Sequence, residues 1–321
     1  MPANLGSILL IANPTSQNGR GEQAANRAYE LLCARFGEEM VQMVLTEYAR
    51  HAVEIAAGAE GYQTVVALGG DGLIHEVANG LMRIEESKRP ALGLIPAGSG
   101  NDYGLSLGIS SKVERAVEQL ASSSEMLVDV GMVNDEFFLE TLSFGLDAAI
   151  AADTVERRKR TGRTGTLMYF EAGLDQMLHH LDVYPYRMTI DGAQVHEGEM
   201  YLLAVQNGQT YGGHFKVCPQ AFLNDGIFDI CVAHPPLNAL SASFIFALAK
   251  EGFHKRFKQV EFTKARSLVV EFDRPVPAQV DGEQIEGSRF EVSLIPQTLR
   301  VLAASSHSFA KSEVDGYVRI S

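Results

Sequence analysis

The sequence is poor in several residue types, and each shortage excludes a class of protein. It has no tryptophan, three cysteines, and 27 lysines and arginines against 40 aspartates and glutamates, for a net charge of −13. The three cysteines, Cys33, Cys218 and Cys231, lie far apart without a CxxC pair. This spacing argues against a disulfide framework or a zinc site and favours a reducing cytoplasm. The acidic balance disfavours nucleic acid as a partner, because phosphate backbones are bound by basic surfaces.

Long hydrophobic runs are missing as well. The apolar run at residues 7–12 has no basic segment before it, and it predicts a first strand rather than a signal peptide. The longest later run, residues 240–249, is too short to span a bilayer. Since 46% of the 321 residues are hydrophobic, the chain can still build a sizeable core. We expect a cytoplasmic protein without a transmembrane segment, with peripheral membrane association and a homodimer left open.

Apolar strand-like runs alternate with helical spacing over the first part of the chain. Predicted strands cover residues 7–12, 41–45, 64–68 and 91–95, and predicted helices cover 22–36, 48–58, 74–84 and 112–121. This alternation predicts a doubly wound α/β domain with a parallel sheet over residues 1–128. A mainly β domain is predicted over 129–296, beginning with a hairpin that turns at Asn134-Asp135, and the tail 297–321 is a candidate for returning to the first domain.

Three glycine loops end the predicted strands of the first domain. They are residues 12–21 ("ANPTSQNGRG"), 69–77 ("GGDGLIHEV") and 96–104 ("PAGSGNDYG"). The carboxyl ends of parallel strands meet at one edge of a sheet, where glycines allow backbone N–H groups to approach an anion. One such loop often serves only the turn, but three at one edge favour a nucleotide-phosphate site. Neither a Walker P-loop nor GxGxxG is present.

Asp71 is the most informative residue of these loops. An aspartate there could simply cap the next helix, which is the structural alternative. A carboxylate beside phosphates repels them unless it binds Mg²⁺ or accepts a proton, and phosphoryl transfer requires both roles. His75 and Glu76 follow, but Asn79 leaves HExxH incomplete, so no metal is expected on His75.

Together these segments resemble the diacylglycerol kinase catalytic-domain family, which includes bacterial lipid kinases and sphingosine kinases and is more distantly similar to NAD kinases. Besides the three loops, the resemblance rests on the Ser143-Phe144-Gly145 turn with Asp147, on "NDGIFDI" at 224–230 and on "VDGE" at 280–283. It implies an N-terminal α/β nucleotide-binding domain, a C-terminal β-sandwich, and an active site between them. The implied reaction is ATP-dependent phosphorylation of a lipid hydroxyl, with Mg²⁺.

The resemblance also implies site residues. The implied ATP-binding residues are Asn13, Thr15, Thr46, Gly69, Gly70, Asp71, Gly72, Leu73, Gly98, Ser99, Gly100 and Asn101. Asp281-Gly282-Glu283 is similar to a family DGE element, and Glu283 and Asp71 are both candidates for the general base. Asp102 and Asp147 are the implied substrate residues, with turn formation the alternative for Asp147. Asp225 resembles a structural Mg²⁺ ligand, joined by main-chain carbonyls of Phe222 and Ile227.

The acceptor is less sharply indicated. Leu73 stands where most bacterial members have threonine, and "GGDGLIHEVANGL" is similar to the sphingosine kinase version of the loop, as is Ser99. Asn101-Asp102 instead follows the bacterial diacylglycerol kinase pattern. The expected acceptor is therefore diacylglycerol or a similar lipid, with a sphingoid base second. An NAD kinase and a non-catalytic nucleotide-binding regulator are the rivals, the latter because Leu73 removes a hydroxyl.

Two basic segments allow more than one interpretation. In residues 155–163 ("VERRKRTGR"), Arg157 and Arg163 resemble an ATP-contacting pair of sphingosine kinases. The same run also suits a solvated helix end or a contact with anionic lipid. Residues 243–262 mix phenylalanines with lysines, which suits a membrane interface or, more simply, a core-facing helix followed by a strand.

Overall fold

A computed structural model of the chain describes residues 4–163 and 166–305. The strands of this part are β1 Ile8–Ala12, β2 Val41–Leu45, β3 Thr64–Gly69, β4 Ala91–Pro96, β5 Ser124–Val133, β6 Glu136–Phe138, β7 Thr141–Gly145, β8 Tyr184–Ile190, β9 Gln194–Met200, β10 Leu202–Gln206, β11 Phe228–Ala233, β12 Val260–Ala265, β13 Ser267–Phe272, β14 Ala278–Val280, β15 Glu283–Ile285 and β16 Arg289–Ala303. The α-helices are α1 Ser16–Gly19, α2 Gly21–Phe36, α3 His51–Ala57, α4 Asp71–Leu81, α5 Asp102–Ser106, α6 Val113–Ala121, α7 Leu146–Thr161, α8 Thr166–His179 and α9 Ala239–Ala249, with short 3₁₀ turns at Glu38–Met40, Glu86–Lys88 and Phe253–Arg256.

A parallel sheet in the order β2-β1-β3-β4 forms the N-terminal half. Strands β1, β3 and β4 are apolar and buried on both faces, as a sheet covered by helices requires, whereas the edge strand β2 is partly exposed. Helix α2 packs against α6, and α3 packs against α4. The predicted doubly wound α/β domain is confirmed.

Two antiparallel layers form the C-terminal half. One layer continues the first sheet through β16, β13, β8 and β9, and the other is a six-stranded sheet in the order β12-β11-β10-β7-β14-β15. A core rich in phenylalanine, with Phe138, Phe144, Phe228 and Phe290 fully buried, lies between the layers. The implied β-sandwich is confirmed. Helices α7, α8 and α9 cover the outer face of the six-stranded sheet with a third apolar cluster.

Strands β5 and β16 belong to both halves. They pair from Val292–Val133 to Ala303–Ser124, with an irregularity between Ile295 and Leu299. Residues Arg289–Ala303 form one continuous strand across this irregularity. Val301 also pairs with Leu92 of β4, while residues 306–321 of the predicted tail lie outside the described residues.

The structure changes the sequence prediction at two places near the site. Helix α4 begins at Asp71 rather than at residue 74, which places the aspartate in its first turn. The predicted Ser143-Phe144-Gly145 turn is wrong for its first two residues, because both pair with β10 and β14 within β7. Only Gly145, at φ +78°, makes the turn into α7.

Candidate active site

The three glycine loops meet at the carboxyl edge of the parallel sheet. They begin after β1, β3 and β4, which are neighbours in the sheet. The second and third loops touch through backbone atoms, since a Cβ built on Gly98 would lie 2.4 Å from the Cα of Gly70. The Ala97 N–H also donates to the carbonyl of Gly69 at 2.6 Å. Glycine at 98 is therefore a packing requirement of the paired loops.

The first loop is held by its own side chains. Asn13 Oδ1 accepts hydrogen bonds from the Thr15 N–H at 2.9 Å and the Thr15 hydroxyl at 2.8 Å. Asn101 fixes the third loop in the same manner, with its Oδ1 accepting from the Gly98 N–H at 2.7 Å. Hydrogen bonds within each loop therefore fix the conformations of both loops.

Asp71 stands at the N-terminus of α4 between these loops. Its Oδ2 accepts the Asn101 N–H at 2.8 Å, while its Oδ1 is buried without a hydrogen-bond partner. Burial, with a smaller contribution from Asp102, raises the pKa of Asp71 to about 6. A buried oxygen left without a partner is costly, so this atom is suited to a cation or a proton.

The loop Asp281-Gly282-Glu283 faces Asp71 from the sandwich. The Asp281 carboxylate accepts the N–H groups of Leu139 at 2.7 Å and of Glu140 and Thr141 at 3.0 Å. This anchor directs the exposed Glu283 towards α4, and its Oε1 lies 2.8 Å from where a Cβ on Gly72 would be.

His75 joins the two halves behind this loop. Its ring is buried, with Nδ1 3.2 Å from Asp281 and Nε2 3.0 Å from Glu136. Burial alone would lower its pKa, but the two carboxylates outweigh it and raise the pKa of His75 to about 9. The His75 hydrogen bond, supported by a bidentate contact from Arg50, lowers the pKa of Glu136 to about 2. His75 is therefore an imidazolium that holds the DGE loop against α4.

A cleft of about 830 Å³ lies between the loops and the sandwich. Eleven predicted site residues line it: Asn13, Thr15, Gly70, Asp71, Gly72, Leu73, Gly98, Ser99, Gly100, Asp102 and Glu283. Gly69 and Asn101 support the lining residues through the hydrogen bonds given above. In the part of the chain that the structure describes, Thr46, Arg157 and Arg163 are not lining residues.

The two predicted arginines are engaged elsewhere. Arg157 contacts Asp153 at 2.8 Å and also Asp175, and Arg163 contacts Glu171 at 2.9 Å. Arg158 lines the cleft instead, as does Arg20 from the first loop. The orientation of α7 determines which of residues 157 and 158 faces the cleft. This helix was not predicted from the sequence, which therefore could not choose between the two arginines.

Glu140 is a cleft residue that sequence reasoning missed. Its carboxyl is buried and accepts the Ser106 hydroxyl at 2.6 Å. Burial, and then the charge of Asp102, raises the pKa of Glu140 well above its ordinary range. The raised pKa favours the neutral form of this carboxyl, which carries less negative charge into the cleft.

Asp102 and Asp147 are both fully hydrogen-bonded. Asp102 accepts the N–H groups of Gly213 at 2.9 Å and His214 at 2.7 Å. Asp147 is buried and accepts from Tyr169 at 2.5 Å, Gln279 at 3.1 Å and the hydroxyl of Ser143. Burial raises the pKa of Asp147 against the effect of these bonds.

A second, apolar cavity adjoins the cleft at this cluster. It measures about 80 Å³ and lies between the six-stranded sheet and helices α7, α8 and α9. Tyr169 and Tyr211 line both spaces. The polar cleft and the apolar pocket are therefore neighbours that share a wall at these two tyrosines.

Family models match nearly all of the chain. Residues 7–133 match the diacylglycerol kinase catalytic domain, and residues 140–303 match the YegS C-terminal NAD kinase beta sandwich-like domain. The chain belongs to the diacylglycerol kinase catalytic-domain family. The resemblance drawn from the sequence is confirmed, and Glu136 lies in the short segment between the two matched regions.

Relatives within this family carry lipid kinase names. The diacylglycerol kinase of Staphylococcus carnosus is 30% identical over 224 residues, covering 70% of this chain and 71% of the relative. The probable lipid kinase YegS-like protein of Enterobacter sp. is 30% identical over 244 residues, covering 74% and 77%. A crystal structure of a diacylglycerol kinase from Bacillus anthracis has a TM-score of 0.72 at 21% identity, covering 95% and 99% of the chains, and shows the same fold.

The loop at residues 222–227 was predicted from the family to hold structural Mg²⁺. Asp225 Oδ1 is buried without a hydrogen-bond partner, which suits a cation, and Lys264 Nζ lies 3.8 Å from its Oδ2. Within residues 4–163 and 166–305, no group of three or more His, Cys, Asp and Glu side chains is arranged to hold a metal. A cation at Asp225 or Asp71 would thus need carbonyl, phosphate or water ligands as well, which hard cations accept. In the same part of the chain, no helix is long and apolar enough to cross a membrane.

Proposed function

We propose that this family member transfers the γ-phosphoryl group of ATP to the hydroxyl of diacylglycerol or a similar neutral lipid. The observation that carries the proposal is the junction at Tyr169 and Tyr211, where a polar cleft between glycine loops meets an apolar pocket. A phosphate donor suits the first space, and the second, of about 80 Å³, suits a short apolar segment of a lipid.

The two opposed carboxylates suit phosphoryl transfer. The unpartnered Oδ1 of Asp71 fits Mg²⁺, which would supply neutralisation of the phosphate charge when bound. Glu283 approaches the cleft from the sandwich and suits the base that takes the proton of the acceptor hydroxyl. The backbone N–H groups of the loops and Arg158 would orient the phosphates.

A neutral acceptor fits better than a sphingoid base. The cationic amine of a sphingoid base calls for a carboxylate with a free oxygen near the apolar pocket. Asp147 is the carboxylate that lines this pocket, and both its oxygens already accept hydrogen bonds from neighbouring side chains. An NAD kinase would have no substrate group to place in the apolar pocket. A non-catalytic nucleotide-binding regulator would have no use for Glu283 as a base.

The test is ATP consumption in mixed micelles against diacylglycerol, phosphatidylglycerol, sphingosine, ceramide and NAD. We expect turnover with diacylglycerol or a similar neutral lipid, and its loss in Glu283→Gln by about 10²- to 10⁴-fold, the usual contribution of a general base. Glu286→Gln is the matched control, since Glu286 is exposed and lies three residues further along the same segment. Phosphorylation of NAD and of no lipid would contradict the proposal, as would full activity of Glu283→Gln.

A further inference from the structure

Helix α9 is apolar on both of its faces. Its sequence, ALSASFIFALA, contains no charged residue. Ala242 and Ile245 are buried against the domain, whereas Leu240 is 80% exposed and Phe244 is 58% exposed. Leu240 and Phe244 are four residues apart and therefore share one face of the helix. A surface helix ordinarily presents polar residues there.

The exposed apolar face continues into the next turn. Phe253 is 44% exposed, and the ring of Phe257 contacts that of Phe244 edge to face at 6.2 Å. We define Leu240, Phe244, Phe253 and Phe257 as the α9 patch. Large side chains grouped on a surface in this way mark an interaction site rather than random exposure.

Basic residues border the α9 patch in a chain whose net charge is −13. Lys250, Lys255, Arg256 and Lys258 are all exposed, and the Arg256 guanidinium lies 5.0 Å above the Phe253 ring. Glu251, the one acid between them, is paired with Lys216 at 3.6 Å. Cations beside exposed aromatic and aliphatic side chains are the composition of a surface that binds anionic lipid.

The opposite face of α9 lines the apolar pocket. Ala242, Ile245, Phe246 and Ala249 contribute to its wall, and Tyr169 and Tyr211 close its inner end at the cleft. The helix thus separates the outside of the protein from the space that, on the proposed function, receives the lipid. We infer that the α9 patch is the surface by which the protein docks on an anionic bilayer.

Vesicle sedimentation of the full chain tests this inference. We expect binding to phosphatidylcholine vesicles that contain phosphatidylserine and little binding to phosphatidylcholine alone. Each basic residue near an anionic surface strengthens binding about fivefold, so Lys255→Glu with Lys258→Glu should weaken it by at least roughly 25-fold. Leu240→Ser with Phe244→Ser should weaken it by at least about tenfold, since two apolar side chains are lost.

A matched control and a second readout keep the inference testable. Leu127→Ser, at an exposed leucine on β5 of the other sheet, should bind vesicles as the unaltered protein does. Binding that is unaffected by both double variants would overturn the inference. So would a dimer in light scattering that the Leu240/Phe244 variant dissociates, because a second copy would then cover the patch. Vesicle binding without lipid phosphorylation would leave docking supported and refute only the proposed function.

Discussion

Replacing His75 by asparagine should remove a large, pH-dependent part of the stability. Asparagine retains a neutral donor for Asp281 but cannot carry the charge that His75 shares between Asp281 and Glu136. The pKa of His75 is raised from 6.5 to about 9. At ~1.36 kcal/mol per pKa unit, the folded state gains about 3 kcal/mol from protonation of this one ring.

The sign of the pH effect follows from the raised pKa. The gain is fully present below pH 6.5, where both the folded and unfolded states are protonated, and it is lost as the pH rises through about 9. The pKa of Glu136 is lowered to about 2, so its ion pair with His75 is lost on the acid side only as the pH falls through about 2. The contribution of the pair is therefore greatest between about pH 4.5 and 6.5.

Urea unfolding between pH 6 and pH 9.5 measures this contribution. The free energy of unfolding of the unaltered protein should fall by about 3 kcal/mol across that range relative to His75→Asn. His180→Asn, at an exposed position, is the control and should follow the unaltered protein. Equal pH dependence in His75→Asn and the unaltered protein would refute the idea that a buried imidazolium holds the two halves together.

Four further predictions concern the cleft and the loop at 222–227. Phosphoryl transfer should decline as the pH falls through about 6, because Asp71 must be ionised to hold a cation, and Asp71→Asn should be inactive at all pH values; a pH–rate profile checks both. Gly98→Ala should weaken nucleotide binding in calorimetry by at least about tenfold, because the new methyl group overlaps Gly70; unchanged affinity would refute the contact. Glu140→Gln should keep more of kcat than Glu140→Ala, since burial raises the pKa of Glu140 towards the neutral form and an amide matches that form in shape; equal losses would contradict this reasoning. Mg²⁺ should raise the melting temperature of the unaltered protein but not that of Asp225→Asn, and an equal rise in both would place the cation elsewhere.

The part of the site that could be predicted is the part built from local sequence. Glycine loops after apolar strands predict that one sheet edge gathers the three loops, since strand, turn and helix follow one another within about 15 residues. The contacts of His75 could not be predicted, because Glu136 is 61 residues away and Asp281 is 206 residues away. The buried state of Glu140 is likewise a product of packing between the halves. Strand β9 was missed because its residues are mostly exposed and polar, which removes the alternation that marks a strand.

The pairing of β16 has a consequence for how the chain folds. Strand β4 is buried along its whole length, and Val301 is the residue of β16 that pairs with it, through Leu92. A nascent chain that has emerged only as far as β15 therefore contains all four parallel strands, but the apolar edge of β4 has no neighbouring strand yet. Such an edge pairs readily with other chains. The sheet of the N-terminal half is completed only by residues synthesised about 200 positions later, so it forms late, with its most distant strand.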